Sequence, residues 1–338
     1  MIAEVLPPPP DVLRRIEDLA GRLPVAVDVE ELLFGRAALL GLQHRGRTSA
    51  GGSCRLLPAP DGWVAVNLAR PTDVEAVPAI VEATEPPADP WSMLERFTAE
   101  TPAAVAAARC QLLGVPGAVL ADPTVDGSGA VATLRLGRRR APAGRPRVVD
   151  LSSMWAGPLC SRLLGLAGMQ VCKVESTSRP DGARFGDPRF FAWLHEGHRR
   201  VALDLETEDG RRRLRRLLDD ADVVVESTRP RALEHLGIRA EDVVRHRPGL
   251  TWVSITGYGR SGPDAARVAF GDDAAVAGGL VGRDGEGLPV FCGDAIADPL
   301  TGLRAAVAAV AAVTTGGGVL LDVSMAAVAR SLADPTGN

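Results

Sequence analysis

Residues 148–174 read VVDLSSMWAGPLCSRLLGLAGMQVCKV, and this pattern decides the fold. Val148 to Leu151 is an apolar run of strand length. A turn through Ser152, Ser153 and Met154 follows. Gly157-Pro158 then opens an apolar helix over Leu159 to Leu166, since proline suits a first helical turn. Val171 to Val174 is a second strand. Strand, helix and strand in this spacing make a βαβ unit, whose two strands run parallel.

The alternation continues downstream. Val201 to Leu205, Val223 to Glu226, Leu250 to Thr256 and Val319 to Val323 read as strands. Thr207 to Asp219 is a charged amphipathic helix, Ala232 to Leu236 and Ala240 to His246 are short helices, and Ala274 to Leu280 and Leu300 to Val313 are apolar ones. The expectation is an α/β fold with a Rossmann-like, largely parallel sheet covered by helices on both faces. Such sheets bind ligands beyond the carboxyl ends of their strands. The loops after Leu151, Val174, Glu226 and Thr256 are therefore the ones to inspect.

Upstream, Gly137 to Pro146 is a basic connector rich in proline and glycine. The region before it mixes helices (Val12 to Leu23, Val29 to Leu42, Asp73 to Ala83, Trp91 to Phe97, Ala103 to Leu113) with strands at Arg55 to Leu57 and Trp63 to Leu68 around an Asp61-Gly62 turn. The expected division is a smaller α+β domain over 1–136, a linker over 137–146 and the Rossmann-like domain over 147–338.

The chain has 338 residues, 46% hydrophobic and 24% charged, which suits a globular protein with a sizeable core. A net charge of −4 gives no bulk reason to expect nucleic acid or an acidic membrane as partner. Cys54, Cys110, Cys160, Cys172 and Cys292 are scattered and odd in number, so reduced thiols in a cytoplasmic protein are expected. Pro7 to Pro10 would interrupt an apolar leader helix, so no signal peptide is expected, and Leu303 to Val313 is too short to span a membrane.

Several turns carry chemistry. The Gly157-Pro158 helix start offers free amides to a phosphate or a carbonyl, although it lacks a G-x-G-x-x-G or Walker pattern, so no nicotinamide cofactor is expected. Arg184, after Pro180-Asp181-Gly182, and Arg229, after Ser227-Thr228, can each clamp a phosphate or stand as a solvated surface cation. His195 and His198 share a helical spacing but lack further ligands nearby, so no metal is expected. Asp298 sits at the mouth of the last long helix, between Ala297 and Pro299. It is either an N-terminal cap or a nucleophile whose ionised form the helix start favours.

Taken in order, these pieces resemble the family III CoA-transferases, the group that includes formyl-CoA transferase and alpha-methylacyl-CoA racemase. The matching motifs run from about Val148 to Ala327. They are D-L-S-x-x-x-A-G-P, K-V-E with P-D-G-x-R, V-A-L-D-L, A-D-V-V-V-E, S-I-T-G-Y-G-x-S-G-P, Ala277-Gly278-Gly279-Leu280, the A-D-x-x-x-G segment and V-L-L-D-V-S-M. Ser49 to Ser53, Asp61 to Val66 and Leu113 to Ala118 resemble the family's small domain, which usually comes second. The chain is thus read as circularly permuted. Two positions depart from the pattern. Phe270 stands where racemases have a histidine, with Gly271 in place of the usual acid, and Ser227-Thr228 replaces Asn-Phe.

The resemblance implies coenzyme A transfer between an acyl-CoA and a carboxylic acid, through an aspartyl anhydride and an aspartyl-CoA thioester on Asp298. Gly51 and Gly52 are implied as a catalytic lid. Ser153, Trp155, Ala156, Gly157, Arg184, Ser227, Thr228, Arg229 and Phe270 are implied around the coenzyme, and a homodimer is the implied assembly. Two rival readings remain open at this point. One is an acyl-CoA isomerase or epimerase with Asp272 or Asp273 as second base; the other is a CoA-binding partner subunit without activity.

Overall fold

The computed structural model describes residues 5–83, 89–122, 129–228 and 230–334. In chain order the strands are β1 (Cys54–Ala59), β2 (Gly62–Asn67), β3 (Gly117–Val119), β4 (Val131–Arg135), β5 (Arg147–Asp150), β6 (Gln170–Ser176), β7 (Arg199–Leu203), β8 (Val223–Glu226), β9 (Thr251–Thr256), β10 (Gly282–Arg283), β11 (Pro289–Val290) and β12 (Val319–Ser324). Seven of them form one sheet in the order β4-β12-β9-β8-β5-β6-β7. All its neighbours are parallel except β4, which runs antiparallel to β12. This is the doubly wound α/β fold expected from the alternation.

Both faces of that sheet are apolar, as parallel strands under two helical layers require. On one face Val148, Val171, Val223, Val253 and Val323 pack with the helices Ala156–Leu166 and Ala297–Thr314. On the other, Val149, Val224, Trp252 and Leu320 pack with Leu214 and Leu218 of the helix Glu208–Asp219. That helix begins where Thr207 Oγ1 accepts the Gly210 amide at 3.1 Å. β1, β2 and β3 form a separate antiparallel sheet, with Leu57, Val64 and Val66 buried against Ala103, Ala106 and Cys110 of the helix Ala103–Leu112.

Early parts of the chain also reach the large sheet. Val12, Ile16 and Leu19 of the helix Pro10–Ala20 and Leu32 and Leu33 of the helix Val29–Leu40 share its core with Leu300 and Leu303. The helix expected over Asp73 to Ala83 is two short ones, Pro71–Glu75 and Val77–Ile80. Pro78 supplies no amide to a ladder continuing from the first, so a new helix starts there. Among the described residues, no helix is long and apolar enough to cross a membrane.

Candidate functional site

The direction of strand succession reverses at β5, which has β6 on one side and β8 on the other. A crevice opens beyond the carboxyl ends at such a point. The turn leaving β5 is tied down residue by residue. The Ser152 amide donates to Asp150 Oδ1 at 2.9 Å, the Ser153 amide to Ser227 Oγ at 3.1 Å, and the Met154 amide to Asp181 Oδ1 at 2.9 Å. Met154 takes a left-handed backbone, φ 73°, a cost that these bonds offset. The Ser153–Ser227 bond joins the turn after β5 to the turn after β8. Thr228, next along, has a buried hydroxyl without a hydrogen-bond partner.

Beneath the turn lies a buried ionic cluster. Lys173 is fully buried; its Nζ lies 2.9 Å from Asp181 Oδ2 and 3.9 Å from Asp150 Oδ2 and donates to the Ser152 carbonyl. His195 Nε2 lies 3.9 Å from the same Asp181 oxygen. Burial and the Lys173 charge push this histidine down to about 4, so it is neutral at pH 7. His198 packs edge-on to it with ring centroids 5.6 Å apart. Among the described residues, no three His, Cys, Asp or Glu side chains are placed so that they could hold a metal ion together.

Two helix starts meet beyond the β5 turn. The helix Ala156–Leu166 follows the β5 turn, and Gly302 of the helix Ala297–Thr314 presses against it. A Cβ on Gly302 would lie 2.7 Å from the Ala156 carbonyl oxygen, so only glycine permits this approach. Gly157 is similarly confined, because a Cβ there would overlap Ser152. Asp298 occupies the first turn of the second helix, partly exposed, and its carboxylate accepts the Ala156 amide. Two helix amino ends thus meet at one carboxylate, which favours its charge. Burial outweighs them, and Asp298 is pushed up to about 7, with Arg36 opposing the rise and Asp272 adding to it.

Three further carboxyls surround it, each held differently. Asp272 accepts the Ala295 amide at 3.0 Å and a hydrogen bond from Ser49. Asp273 accepts the Asn67 side-chain amide and the Phe270 backbone amide, both at 3.0 Å. Asp294 pairs with Arg36, Oδ2 to Nη1 2.5 Å. Burial pushes Asp272 and Asp273 up to about 7. Asp272, Asp273 and Asp294 are all buried, whereas Asp298 is partly exposed.

These raised carboxyls set a pH dependence. An unfolded aspartate titrates near pH ~3.9. Between that value and about 7 the folded protein holds more protons at Asp272 and Asp273, so their contribution to stability falls as pH rises. Asp273→Asn removes one such group. Wild-type stability relative to this variant is expected to fall by about 1.4 kcal/mol per pH unit between pH ~5 and ~6.5 and to level off above ~7. Urea unfolding of both proteins across that range measures it; a flat difference would contradict the shift.

The sequence-derived residues fall around this site in distinct ways. An added Cβ on Gly51 would lie 4.0 Å from Asp294 Oδ1, and Gly52, φ 84°, abuts Arg45. Trp155 is buried, edge-on to Phe190 at 5.3 Å between centroids, with its indole nitrogen unpartnered. The Phe270 ring lies 5.8 Å from the Arg70 guanidinium. Arg184 is engaged within the chain: Nε and Nη2 donate to the two Glu175 oxygens at 2.8 and 2.6 Å, and the guanidinium lies over Phe191 at 4.0 Å. That pairing pushes Glu175 down to about 2. Arg229 lies outside the described residues. Sequence reading missed Arg36, Ser49 and Asn67, which come from the first 67 residues to meet acids beyond residue 270. It also missed what Gly271 does, since a side chain there would overlap Asp298 Oδ2 and the Ala295 carbonyl. Gly271→Ala is therefore expected to lower stability by about 1–3 kcal/mol, read as a lower urea midpoint; an unchanged midpoint would show that the segment adapts freely.

The sequence profile of CoA-transferase family III matches residues 146–337. The chain is 30% identical over 197 residues to a succinyl-CoA--D-citramalate CoA-transferase from Chloroflexus aurantiacus, covering 54% of this chain and 49% of that protein. It is 32% identical over 192 residues to a succinyl-CoA:glutarate CoA-transferase from Mus musculus, covering 53% and 44%. Matches to the first curated relatives span about half their length or less. A crystal structure of a CAIB/BAIF family protein from Brucella suis superposes with a TM-score of 0.51 at 30% identity, over 56% of this chain and 55% of that one. A hypothetical protein from Mycobacterium tuberculosis superposes with a TM-score of 0.51 at 31% identity, over 58% of each chain.

Proposed function

This chain belongs to CoA-transferase family III, and from that premise we propose that it moves coenzyme A from an acyl-CoA to a carboxylic acid, with Asp298 as the covalent nucleophile. The observation that carries the reading is the position of Asp298. It is a reachable carboxylate at the start of the helix Ala297–Thr314, and the Ala156 amide is directed at it.

The chemistry balances without an external energy source. A carboxylate oxygen of Asp298 attacks the thioester carbonyl, the C–S bond breaks, and the thiolate of coenzyme A leaves. A mixed anhydride remains. The thiolate then attacks the aspartyl carbonyl, releases the first acid and forms a thioester on Asp298. The acceptor carboxylate attacks that thioester and expels the thiolate. The thiolate finally attacks the acceptor's carbonyl, which frees the new acyl-CoA and Asp298. Each intermediate is an activated acyl group, so exclusion of water matters more than acid–base power. In this proposal Gly51 and Gly52, beside Asp294, form the lid that approaches the acyl group.

The turns after β5 and β8 line the coenzyme's path in the same reading, through Ser153, Trp155, Ala156, Gly157, Ser227, Thr228 and Phe270. Arg184, held by Glu175 with its outer face exposed, offers a guanidinium edge to the phosphates. Arg229 is proposed for the same charge from sequence alone. In this reading the lid comes from the family-like small domain expected within 1–136, of which β1, β2 and β3 form the separate sheet, whereas β4 and the helices Pro10–Ala20 and Val29–Leu40 belong with the CoA-binding domain expected over 147–338. Two chains form a homodimer in the cytoplasm, which sedimentation and fractionation test. Transfer is preferred over isomerisation because Asp272 and Asp273, the available second bases, are enclosed by Ser49, Asn67 and backbone amides. The decisive experiment mixes the protein with a panel of acyl-CoAs, quenches with hydroxylamine and maps the modified peptide by mass spectrometry. A hydroxamate on Asp298 supports the reading; a hydroxamate elsewhere would overturn it.

A further inference from the structure

We propose that Arg36 is the positioning cation of the Asp298 site, held by Asp294 and by the Trp155–Phe190 ring pair so that its charge serves the nucleophilic carboxylate. This deepens the transferase reading and rests on it for the word nucleophilic.

Arg36 belongs to the helix Val29–Leu40, which packs on the core of the large sheet. Its guanidinium is fixed from two directions. Nη1 lies 2.5 Å from Asp294 Oδ2, and the guanidinium carbon lies 5.1 Å from the Trp155 ring centroid and 5.4 Å from that of Phe190. The two rings meet edge-on at 5.3 Å, so they brace each other and the cation. Trp155 immediately precedes Ala156, whose amide reaches Asp298. The edge-on rings, the paired acid and the helix start thus form one continuous support for the reactive carboxylate.

The charge balance explains the need for it. Asp272 from the helix Gly271–Ala277 and Asp294 from the turn before the long helix both set negative charge against Asp298. Arg36 is the largest source of opposing charge at Asp298. Lysine would carry the same charge, but it lacks the planar group that pairs with a carboxylate while lying against rings. Asp294 has a double part: it anchors the guanidinium and also takes up some of its charge. Removal of either partner therefore moves Asp298 in opposite directions.

The test reads Asp298 directly and needs no substrate. Protein labelled with 13C at aspartate carboxyl carbons is titrated by NMR, with the Asp298 resonance assigned by its disappearance in Asp298→Asn. Arg36→Met is expected to raise the Asp298 midpoint by at least one pH unit, and Arg36→Lys to raise it less. Asp294→Asn is expected to lower it. An unmoved midpoint in folded Arg36→Met overturns the proposal. If Arg36→Met does not fold, Arg36→Gln decides, and an unmoved midpoint there overturns it. Hydroxylamine trapping is run on the same samples. Midpoints that move as expected in a protein that never forms an adduct would sink the transfer chemistry while the positioning role stands.

Discussion

Asp298→Asn is expected to abolish the hydroxylamine-trapped adduct and to cut acyl-CoA turnover by ~10^4-fold or more, the scale on which loss of a covalent nucleophile acts. The same substitution is expected to leave the fold intact and to raise the urea midpoint at pH 8. Both effects come from one cause. The proposed transfer needs this carboxylate in the charged form, and burial pushes it up to about 7. An asparagine keeps an oxygen for the Ala156 amide while removing the charge whose desolvation is costly. Activity lost together with stability gained is the signature of a strained functional group. The expected rate of the wild type therefore rises with pH through about 7, as Asp298 loses its proton. A variant with full turnover, or with the adduct still on the same peptide, would remove Asp298 from the chemistry.

Lys173→Met is expected to cost about 3–5 kcal/mol, the usual penalty for stranding one member of a buried ion pair. Lys173 is fully buried beside Asp181 at 2.9 Å, with Asp150 at 3.9 Å. Without the ammonium, Asp181 and Asp150 lose the buried cation beside them. The damage extends to the site. Asp181 Oδ1 accepts the Met154 and Ala183 amides, and Lys173 Nζ holds the Ser152 carbonyl, so the pair clamps the turn that leads to Ala156. Asp181→Asn is expected to be costly alone, while the double variant Lys173→Met/Asp181→Asn costs less than the sum, because neither leaves the other unpaired. Denaturant midpoints of the three proteins test this, and strict additivity would show that the pair is not a unit.

Much of the architecture is written locally. The run from Val148 to Val174 has strand length, a proline-opened helix and a second apolar strand, and the structure has β5, the helix Ala156–Leu166 and β6 there. Repeated down the chain, that pattern leads to a parallel sheet and to a crevice at the carboxyl ends. Elements without such a pattern went unread. β4 is exposed along most of its length and lacks an apolar alternation, so its place at the sheet edge depends on pairing with β12. The helices Pro188–Leu194 and Met325–Ala333 did carry readable signals, their caps Asp187 and Ser324, which an apolar-run reading passes over.

By itself the sequence determined the α/β class, the family resemblance and the choice of Asp298, because periodicity, turn residues and ordered motifs are properties of neighbouring residues. Only the tertiary structure decided what surrounds Asp298. Arg36, one of 38 basic residues, meets Asp294 across a separation of 258 positions. Ser49 and Asn67 likewise meet Asp272 and Asp273 from more than two hundred positions earlier in the chain. No local pattern marks such pairs. Charge and desolvation act through space, and the distances that set them exist only after the early helices and the small sheet have packed against the large one.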